Sequence, residues 1–179
     1  LLCEDWIDSH LFNNYTVAVA LVVGGVALIA LEWWQRRAGK TEADLRPMEG
    51  MSLRQAFVIG LFQCLALVPG TSRSAATIAG ALVLGFQRTV AAEFSFLVGL
   101  PLLYGACGVK LLGKPEVLAG GPRTVEFAVG SAVAFLSALL VVGPFVRFLR
   151  RHTFVPFGVY RIIAGALLLA LVRAGVVSG

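Results

Sequence analysis

The segment that decides the fold is LRQAFVIGLFQCLALVPGTSRSAATIAGALVLGF, residues 53–86. An apolar half, residues 53–68, is followed by a Pro-Gly break and then by a shorter apolar half, residues 75–86. Neither half reaches the roughly 20 residues that a helix needs to cross a bilayer. Irregular backbone occurs at membrane depth only where protein buries it or where it lines a wet cavity. The segment therefore predicts a re-entrant helix–turn–helix hairpin with residues 69–74 at its tip.

The composition around this segment indicates a membrane protein. Hydrophobic residues make up 58% of the chain and charged residues 14%, with a mean hydropathy of +0.85. A soluble domain carries about 25% charged residues, so a water-soluble globule is excluded. Together with the hairpin, the apolar blocks predict an all-α integral membrane protein, a transmembrane helix bundle in one membrane domain and half of an inverted repeat. The predicted spans lie at about residues 16–34, 91–112, 125–148 and 154–172.

The net charge of +5 comes mainly from basic residues in the predicted loops. If the hairpin enters and leaves on one side, most of them lie on one face, which the positive-inside rule makes cytoplasmic. Such charges favour contact with membrane lipid, and no nucleic acid is expected as a partner. The basic residues on this face are Arg36, Arg37, Lys40, Arg46, Arg88, Arg147, Arg150 and Arg151.

Residues suited to binding an anion are concentrated at the predicted tip. Ser72 and Ser74 can cap the following helix, whose free amides and positive dipole end favour a phosphate. Arg73 adds a permanent charge with a geometry that matches phosphate oxygens. Thr77 lies one helical turn further on and can turn its hydroxyl to the same pocket. In the alternative interpretation the serines only cap the helix and Arg73 extends toward water, but ionisable residues within a membrane usually have a function.

The residue types that bind transition metals are scattered. Cys3, Cys64 and Cys107 share no metal-ligand spacing, and His10 and His152 lie far apart. The sequence therefore predicts no metal site within this chain.

Several motifs resemble the bacterial undecaprenyl-diphosphate phosphatase family of the bacitracin-resistance type. Residues 60–74, GLFQCLALVPGTSRS, resemble the signature written PGxSRSxxT. AAEFSFL at residues 91–97, with Pro101 after it, is similar to the next family block, and FGVYR at residues 157–161 is similar to its last span. LFN at residues 11–13 and LVVGG at residues 21–25 resemble the family's middle region. The resemblance covers essentially the whole chain in the right order.

Two departures from the family pattern affect what is expected of this chain. Ala75 stands where the family often has glycine. Family members also carry an upstream segment with an E-x-x-x-E motif and a histidine on a first hairpin, and this chain is expected to lack that segment. The chain is thus expected to correspond to the C-terminal two-thirds of a family member and to be inactive alone.

The resemblance implies a phosphatase of the bacterial inner membrane that converts undecaprenyl diphosphate to undecaprenyl phosphate and phosphate. This reaction recycles the carrier lipid for cell-wall synthesis. A Mg²⁺ or Ca²⁺ cofactor, held by the upstream carboxylates, is also implied. The nucleophile stays open between a serine and water, and a homodimer is a further open possibility. The implied catalytic residues are Arg73, Ser72, Ser74 and Thr77, and the implied substrate-binding residues are Gly70 and Thr71. Two further residues are candidates for substrate binding because of their position: Gln63 could face the pocket or pack as an amide between helices, and Arg161 could reach a lipid phosphate or extend toward water.

Two other classes of function fit the same residues. A transporter or flippase for a polyprenyl phosphate or another anion would also aim the N-terminus of a half-helix at its substrate. A membrane scaffold would make the polar cluster at the tip dispensable. Release of phosphate, as opposed to movement of the lipid, distinguishes the phosphatase from the transporter.

Overall fold

The structure is a computed structural model that describes residues 13–37, 39, 41–114, 117, 120–149 and 152–176. The described residues form helices α1 (Asn14–Arg37), α2 (Leu53–Gln63), α3 (Arg73–Val83), α4 (Arg88–Leu112), α5 (Pro122–Leu149) and α6 (Val155–Arg173). The features predicted at Cys3, His10, Leu11, Phe12, Lys40, Arg150 and Arg151 lie outside these ranges.

Helices α1, α4, α5 and α6 are long and apolar enough to cross a membrane. With 24 residues in α1 and 25 in α4, a rise of about 1.5 Å per residue gives lengths above the roughly 30 Å of hydrocarbon. Each of these helices coincides with one of the predicted spans to within a few residues. The chain is thus an all-α integral membrane protein, as its composition predicts.

Helices α2 and α3 form the predicted helix–turn–helix. Ser52 begins α2 with a reciprocal capping box to Gln55, which satisfies two amides that a helix start otherwise leaves without partners. The helix continues as a 3₁₀ segment, Cys64–Leu67, and the chain reverses at Gly70, whose φ is +87°. Ser72 then begins α3. The break therefore falls where the sequence predicts it, although re-entry of the hairpin into a bilayer stays a prediction.

Helices α1 and α6 pack antiparallel through small residues. A Cβ on Gly25 would lie 2.6 Å from the carbonyl oxygen of Gly158, and one on Gly165 would lie 2.7 Å from that of Ala18. Membrane helices approach this closely only where side chains are small, because packing in lipid depends on van der Waals contact. The close approach fixes the position of α6, and with it Arg161, against α1.

A buried carboxylate joins three helices at the end of α1. Glu32 is 1% exposed, and its two oxygens accept from Nε and Nη2 of Arg88 at 2.9 and 3.0 Å. It also accepts from the backbone amide of Phe154 at 3.0 Å. A buried charge needs such partners because desolvation costs several kcal/mol per ion. Glu32 therefore ties the starts of α4 and α6 to α1.

The loop before the hairpin packs against the hairpin's other end. The amide of Arg46 donates to the carbonyl of Gly85 at 2.9 Å, and the amide of Gln87 donates to the carbonyl of Arg46 at 3.1 Å. The hairpin thus begins and ends on the side where α1 ends. The prediction that most basic residues lie on one face of the membrane assumed this arrangement.

Helix α5 differs from the other long helices, because its outer surface is almost entirely exposed. None of its most apolar window is buried within the described part of the chain. Its main anchor is the ring of Phe145, which packs edge-on against Phe96 and Phe157 with centroids 6.1 and 5.7 Å away. The buried core lies instead between the hairpin, the start of α4 and the start of α6.

Candidate functional site at the hairpin tip

The tip of the hairpin leaves backbone amides available at the start of α3. Ser72 is the N-cap, and its hydroxyl accepts from the amide of Ala75 at 3.3 Å. The predicted capping role is confirmed for Ser72 and wrong for Ser74, which is already the second helical residue. Among the described residues, the amides of Arg73 and Ser74 donate no backbone hydrogen bond. These two donors and the positive dipole end can bind an anion.

Gly70 lets the tip approach α1 closely. Its positive φ suits glycine, and a Cβ there would lie 2.5 Å from the carbonyl oxygen of Val17. Any other residue would therefore force the tip away from α1. The predicted substrate-binding role of Gly70 stays a prediction, whereas its structural role follows from this contact.

Arg73 points from α3 toward the middle of α4. Its Nη1 donates to the carbonyl of Gly99 over 3.4 Å, well above the usual 2.9 Å or so. A Cβ on Gly99 would lie 2.8 Å from Nη2, so the missing side chain makes room for the guanidinium. We call the space beside it, about 300 Å³ lined also by Gln63, Cys64 and Leu102, the Arg73 cavity. Within the described part of the chain, Arg73 thus makes one weak hydrogen bond, and its other N–H groups are available to a ligand.

Gln63 lies in the Arg73 cavity, and its role in substrate binding stays a prediction. Its Oε1 is buried and accepts no hydrogen bond in the described part of the chain. A buried polar atom without a partner is uncommon in a native structure. This oxygen could therefore accept from water or from a ligand hydroxyl.

Thr77 lies under the tip with its hydroxyl directed at α4. It is 1% exposed, and its Oγ1 lies 2.8 Å from the hydroxyl of Ser95. It also bonds to backbone carbonyls one turn back, at Arg73 and Ser74. In this arrangement the hydroxyl joins α3 to α4 and does not reach the cavities at the tip.

Ser72 and Ser74 line a different space from Arg73. We call this space, about 240 Å³ between α1, α3, α5 and α6, the aromatic cavity; its lining also includes Arg161, Phe145, Phe154, Phe157 and Tyr160. Thr71 lines a third space, a groove of about 460 Å³ between α1 and the end of α2. Thr71, Arg73 and Ser74 are therefore close in sequence but line three different spaces around the tip.

Helical geometry explains this distribution. Residues four apart lie on one face of a helix, whereas neighbours are about 100° apart. Arg73 and Thr77 accordingly both face α4, and Ser74 and Ile78 both face the aromatic cavity. The short motif therefore does not predict that its side chains face different sides of α3.

Arg161 holds the tip from α6. Its Nη2 donates to the carbonyl of Gly70 at 3.1 Å and to that of Ala20 at 3.5 Å. Gly24 makes room for it, since a Cβ there would lie 2.6 Å from Nη2. The Nε of Arg161 is buried and donates to no atom of the described residues. Arg161 is thus a bridge between the tip, α1 and α6.

Three residues around the site were missed from the sequence: Ser95, Gly99 and Glu32. Ser95 and Gly99 are single small residues in an apolar helix. Because they are four residues apart, they lie on one face of that helix, and this spacing is the only signal in the sequence that this face could meet the hairpin. The described residues contain no group of three or more His, Cys, Asp or Glu side chains placed to hold a metal ion.

The chain resembles known proteins over nearly its whole length. The model of the family described as "Bacitracin resistance protein BacA" matches residues 1–167. Proteins named undecaprenyl-diphosphatase are 40% identical in Cupriavidus metallidurans, over 99% of this chain and 66% of that protein. The identity is 44% in Clostridium tetani, over 94% and 60%, and 40% in Campylobacter jejuni, over 95% and 62%.

This chain therefore spans 60–66% of the length of these relatives. The relatives are bacterial, and four helices of the structure are long and apolar enough to cross a membrane. Both findings identify a multi-pass protein of the bacterial inner membrane. The match over residues 1–167 shows that the chain belongs to the BacA family.

Proposed function

We propose that this chain provides the diphosphate-binding part of an undecaprenyl-diphosphate phosphatase. The observation that carries the proposal is Arg73, a permanent cation at the start of α3 that makes one hydrogen bond, of 3.4 Å, within the described part of the chain. Three relatives of this chain carry the name undecaprenyl-diphosphatase. The reaction would release phosphate and return undecaprenyl phosphate to cell-wall synthesis, which would also support bacitracin resistance.

In the proposed reaction, Arg73 and the free amides of the first turn stabilise charge on the transferring phosphoryl group. A nucleophile attacks the terminal phosphorus, the bond to the bridging oxygen breaks, and the lipid monophosphate leaves. Preorganised donors aimed at developing charge are the main catalytic device for such a transfer. Direct attack by water and attack by a serine both stay open. Ser74 is the freer serine, since Ser72 already accepts from the amide of Ala75.

The other predicted residues have supporting roles in this proposal. Gln63 would accept from water or substrate in the Arg73 cavity, and Thr71 would contact the lipid in the groove beside α1. Thr77 would act through its bond to Ser95 by fixing the start of α3 against α4. Gly70 and Arg161 would keep the tip in place.

The tip is suited to a substrate that lies within the membrane. Arg73 contacts Gly99, which lies near the middle of the 25-residue helix α4. We propose that the hairpin re-enters the bilayer and holds the diphosphate at this depth, where the low dielectric strengthens the charged hydrogen bonds. The polyprenyl tail would then lie among apolar helix surfaces.

A divalent cation also belongs to the proposal, but this part of the chain offers it no set of ligands. The described residues bring together no three His, Cys, Asp or Glu side chains. The Mg²⁺ or Ca²⁺ implied by the resemblance would need carboxylates from elsewhere. We therefore assign no step of the reaction to the metal.

The test is phosphate release from undecaprenyl diphosphate by the protein expressed from its complete gene, in nanodiscs with Mg²⁺ or Ca²⁺. Arg73→Ala is expected to lower kcat about 100-fold or more, the loss typical of removing one donor to the transition state. Arg54→Ala is the matched control, because Arg54 is exposed at the far end of the hairpin. Movement of the lipid between leaflets without phosphate release would instead favour the transporter.

A further inference from the structure

A polar pocket lies at the base of the hairpin, at the opposite end of α3 from the tip. It is a space of about 140 Å³ between the end of α1, the loop before α2 and the end of α3. We call it the basal pocket; its lining includes Trp34, Gln35, Asp44, Arg46 and residues 82–85. No residue of the 69–77 motif lines it, so the proposed function makes no use of this pocket.

The wall of the basal pocket contains a buried acceptor without a partner. Gln35 is 3% exposed, and its Nε2 donates to the carbonyl of Leu82 at 2.9 Å. Because a carbonyl can only accept, this bond fixes which end of the amide is the nitrogen. The other end, Oε1, accepts from no atom of the described residues. Since the bond joins two residues of the pocket lining, the amide lies in the pocket wall, and a donor is expected there.

Three further features of the pocket favour a donor with a positive charge. The carbonyls of Val83 and Leu84, at the end of α3, accept no backbone hydrogen bond among the described residues. The negative end of the dipole of α3 also lies here and attracts a cation. Asp44 adds a carboxylate to the lining. A primary ammonium, which has three N–H donors and no acceptor, suits this set of oxygen atoms.

The pocket also contains a cation, Arg46. Its side chain is exposed and makes no hydrogen bond or ion pair with the described residues. Its backbone, by contrast, is held by bonds to Gly85 and Gln87. The guanidinium therefore leaves Oε1 of Gln35 unpaired and is itself available to a phosphate oxygen. The pocket thus suits a ligand that carries an ammonium and a phosphate close together.

The basal pocket lies at the level where phospholipid headgroups are expected. Trp34 lines the pocket near the end of α1, Trp33 precedes it, and each is 54% exposed. Tryptophans are enriched at the border between hydrocarbon and water. The pocket volume of about 140 Å³ corresponds to about five water molecules at roughly 30 Å³ each. This space holds a headgroup, while acyl chains would lie outside it against apolar helix surfaces.

We infer that the basal pocket binds the headgroup of phosphatidylethanolamine. The primary ammonium donates to Oε1 of Gln35 and to the free carbonyls at the end of α3, and the phosphodiester accepts from Arg46. The bound lipid would join α1 to the base of the hairpin, and this role does not depend on the proposed phosphatase. Phosphatidylcholine has the same net charge, but its trimethylated nitrogen has no N–H group. The pocket should therefore discriminate between these two lipids.

The experiment measures the dissociation constant of the first bound lipid by native mass spectrometry, with the delipidated protein expressed from its complete gene. We expect phosphatidylethanolamine to bind about tenfold more tightly than phosphatidylcholine, the scale of one hydrogen bond to a charged group. Gln35→Met should abolish this preference, because it removes the amide oxygen. The carbonyl of Leu82 keeps its bond from the amide of Gly85 at 3.0 Å, and the melting temperature of the variant checks its fold.

A second variant tests the phosphate contact at an exposed position, where replacement leaves the fold intact even if Gln35→Met does not fold. Arg46→Gln should weaken the binding of both lipids about fivefold, the scale of one basic residue at a lipid surface. Arg54→Gln is the matched control. Arg54 is exposed at the start of α2, on the same side of the hairpin, and lines none of the cavities named above. Its replacement should leave both dissociation constants unchanged.

Equal binding of the two lipids by the unaltered protein would overturn the inference, as would a preference that persists in a folded Gln35→Met. Equal losses in Arg46→Gln and Arg54→Gln would show that the charge acts outside the pocket and would also overturn it. Displacement of the lipid by an equal concentration of glycerophosphoethanolamine, which has the headgroup without acyl chains, would overturn the assignment to a lipid. None of these measurements uses phosphate release, so they are independent of the test of the proposed phosphatase.

Discussion

Arg73 and Arg161 are both arginines beside the hairpin tip, yet the structure uses them differently. Arg161 is buried and bonded through Nη2 to two backbone carbonyls, one on the tip and one on α1. Arg73 is half-buried and, among the residues that the structure describes, makes one long hydrogen bond, to the carbonyl of Gly99. A positive charge near a site therefore does not by itself identify the role of the residue that carries it. The number of bonds already made separates an arginine that supports the fold from one available to a ligand.

The largest effect on stability is expected from Arg161→Met. The variant leaves the carbonyls of Gly70 and Ala20 without their charged donor, which should lower the free energy of unfolding by about 2–3 kcal/mol. Thermal or denaturant unfolding in a mild detergent measures this loss. Arg73→Met should cost less than about 1 kcal/mol, because it removes one weak bond. Equal losses for the two variants would contradict the comparison.

A smaller effect is expected from Gly99→Ala. The added Cβ would lie 2.8 Å from Nη2 of Arg73, so the flexible end of the arginine must move while the fold persists. We expect kcat/KM for undecaprenyl diphosphate to fall about tenfold, which corresponds to about 1.4 kcal/mol. Gly105→Ala is the control on the same helix, since nothing lies within 4 Å of a Cβ there. Unchanged kinetics in Gly99→Ala would show that the position of Arg73 is unimportant.

The smallest effect concerns Thr77, where Thr77→Val replaces a buried hydroxyl with a methyl group of similar size. Loss of the bond to Ser95 should cost about 1 kcal/mol of stability. In a double-mutant cycle with Ser95→Ala the two losses should be non-additive, because both variants remove the same bond. If kcat also falls 100-fold in Thr77→Val at an unchanged melting temperature, the hydroxyl acts in catalysis and not only in packing.

The local features of the fold could be predicted from the sequence, whereas contacts between distant segments could not. The long apolar helices, the break at residues 69–70 and the cap at Ser72 each depend on neighbouring residues. The pair of Glu32 and Arg88 joins residues 56 apart, and the contact of Arg161 with Gly70 joins residues 91 apart. The pattern of residues within one segment does not show which distant residue a side chain will contact.

The candidate site residues were predicted to share one pocket, whereas the structure distributes them over separate spaces. The nine residues of the motif, 69–77, are adjacent in sequence and so were expected to form one cluster. In a helix, however, consecutive side chains point to different faces. Arg73 and Gln63 therefore lie in one cavity, and Ser74 and Arg161 in another. Only the packing of α4 on one side of α3 and of α6 on the other decides which neighbour each side chain meets.

The central claim, that the Arg73 cavity binds the diphosphate, is tested most directly by alkylation of Cys64. Cys64 lines that cavity with an exposed thiol, and the exposed Cys107 on α4 lies in none of the described cavities. In a Cys3→Ser background, undecaprenyl diphosphate should slow maleimide labelling of Cys64 and leave Cys107 unchanged. The protection should disappear in Arg73→Ala. Equal slowing at both cysteines, or protection that persists without Arg73, would contradict the account.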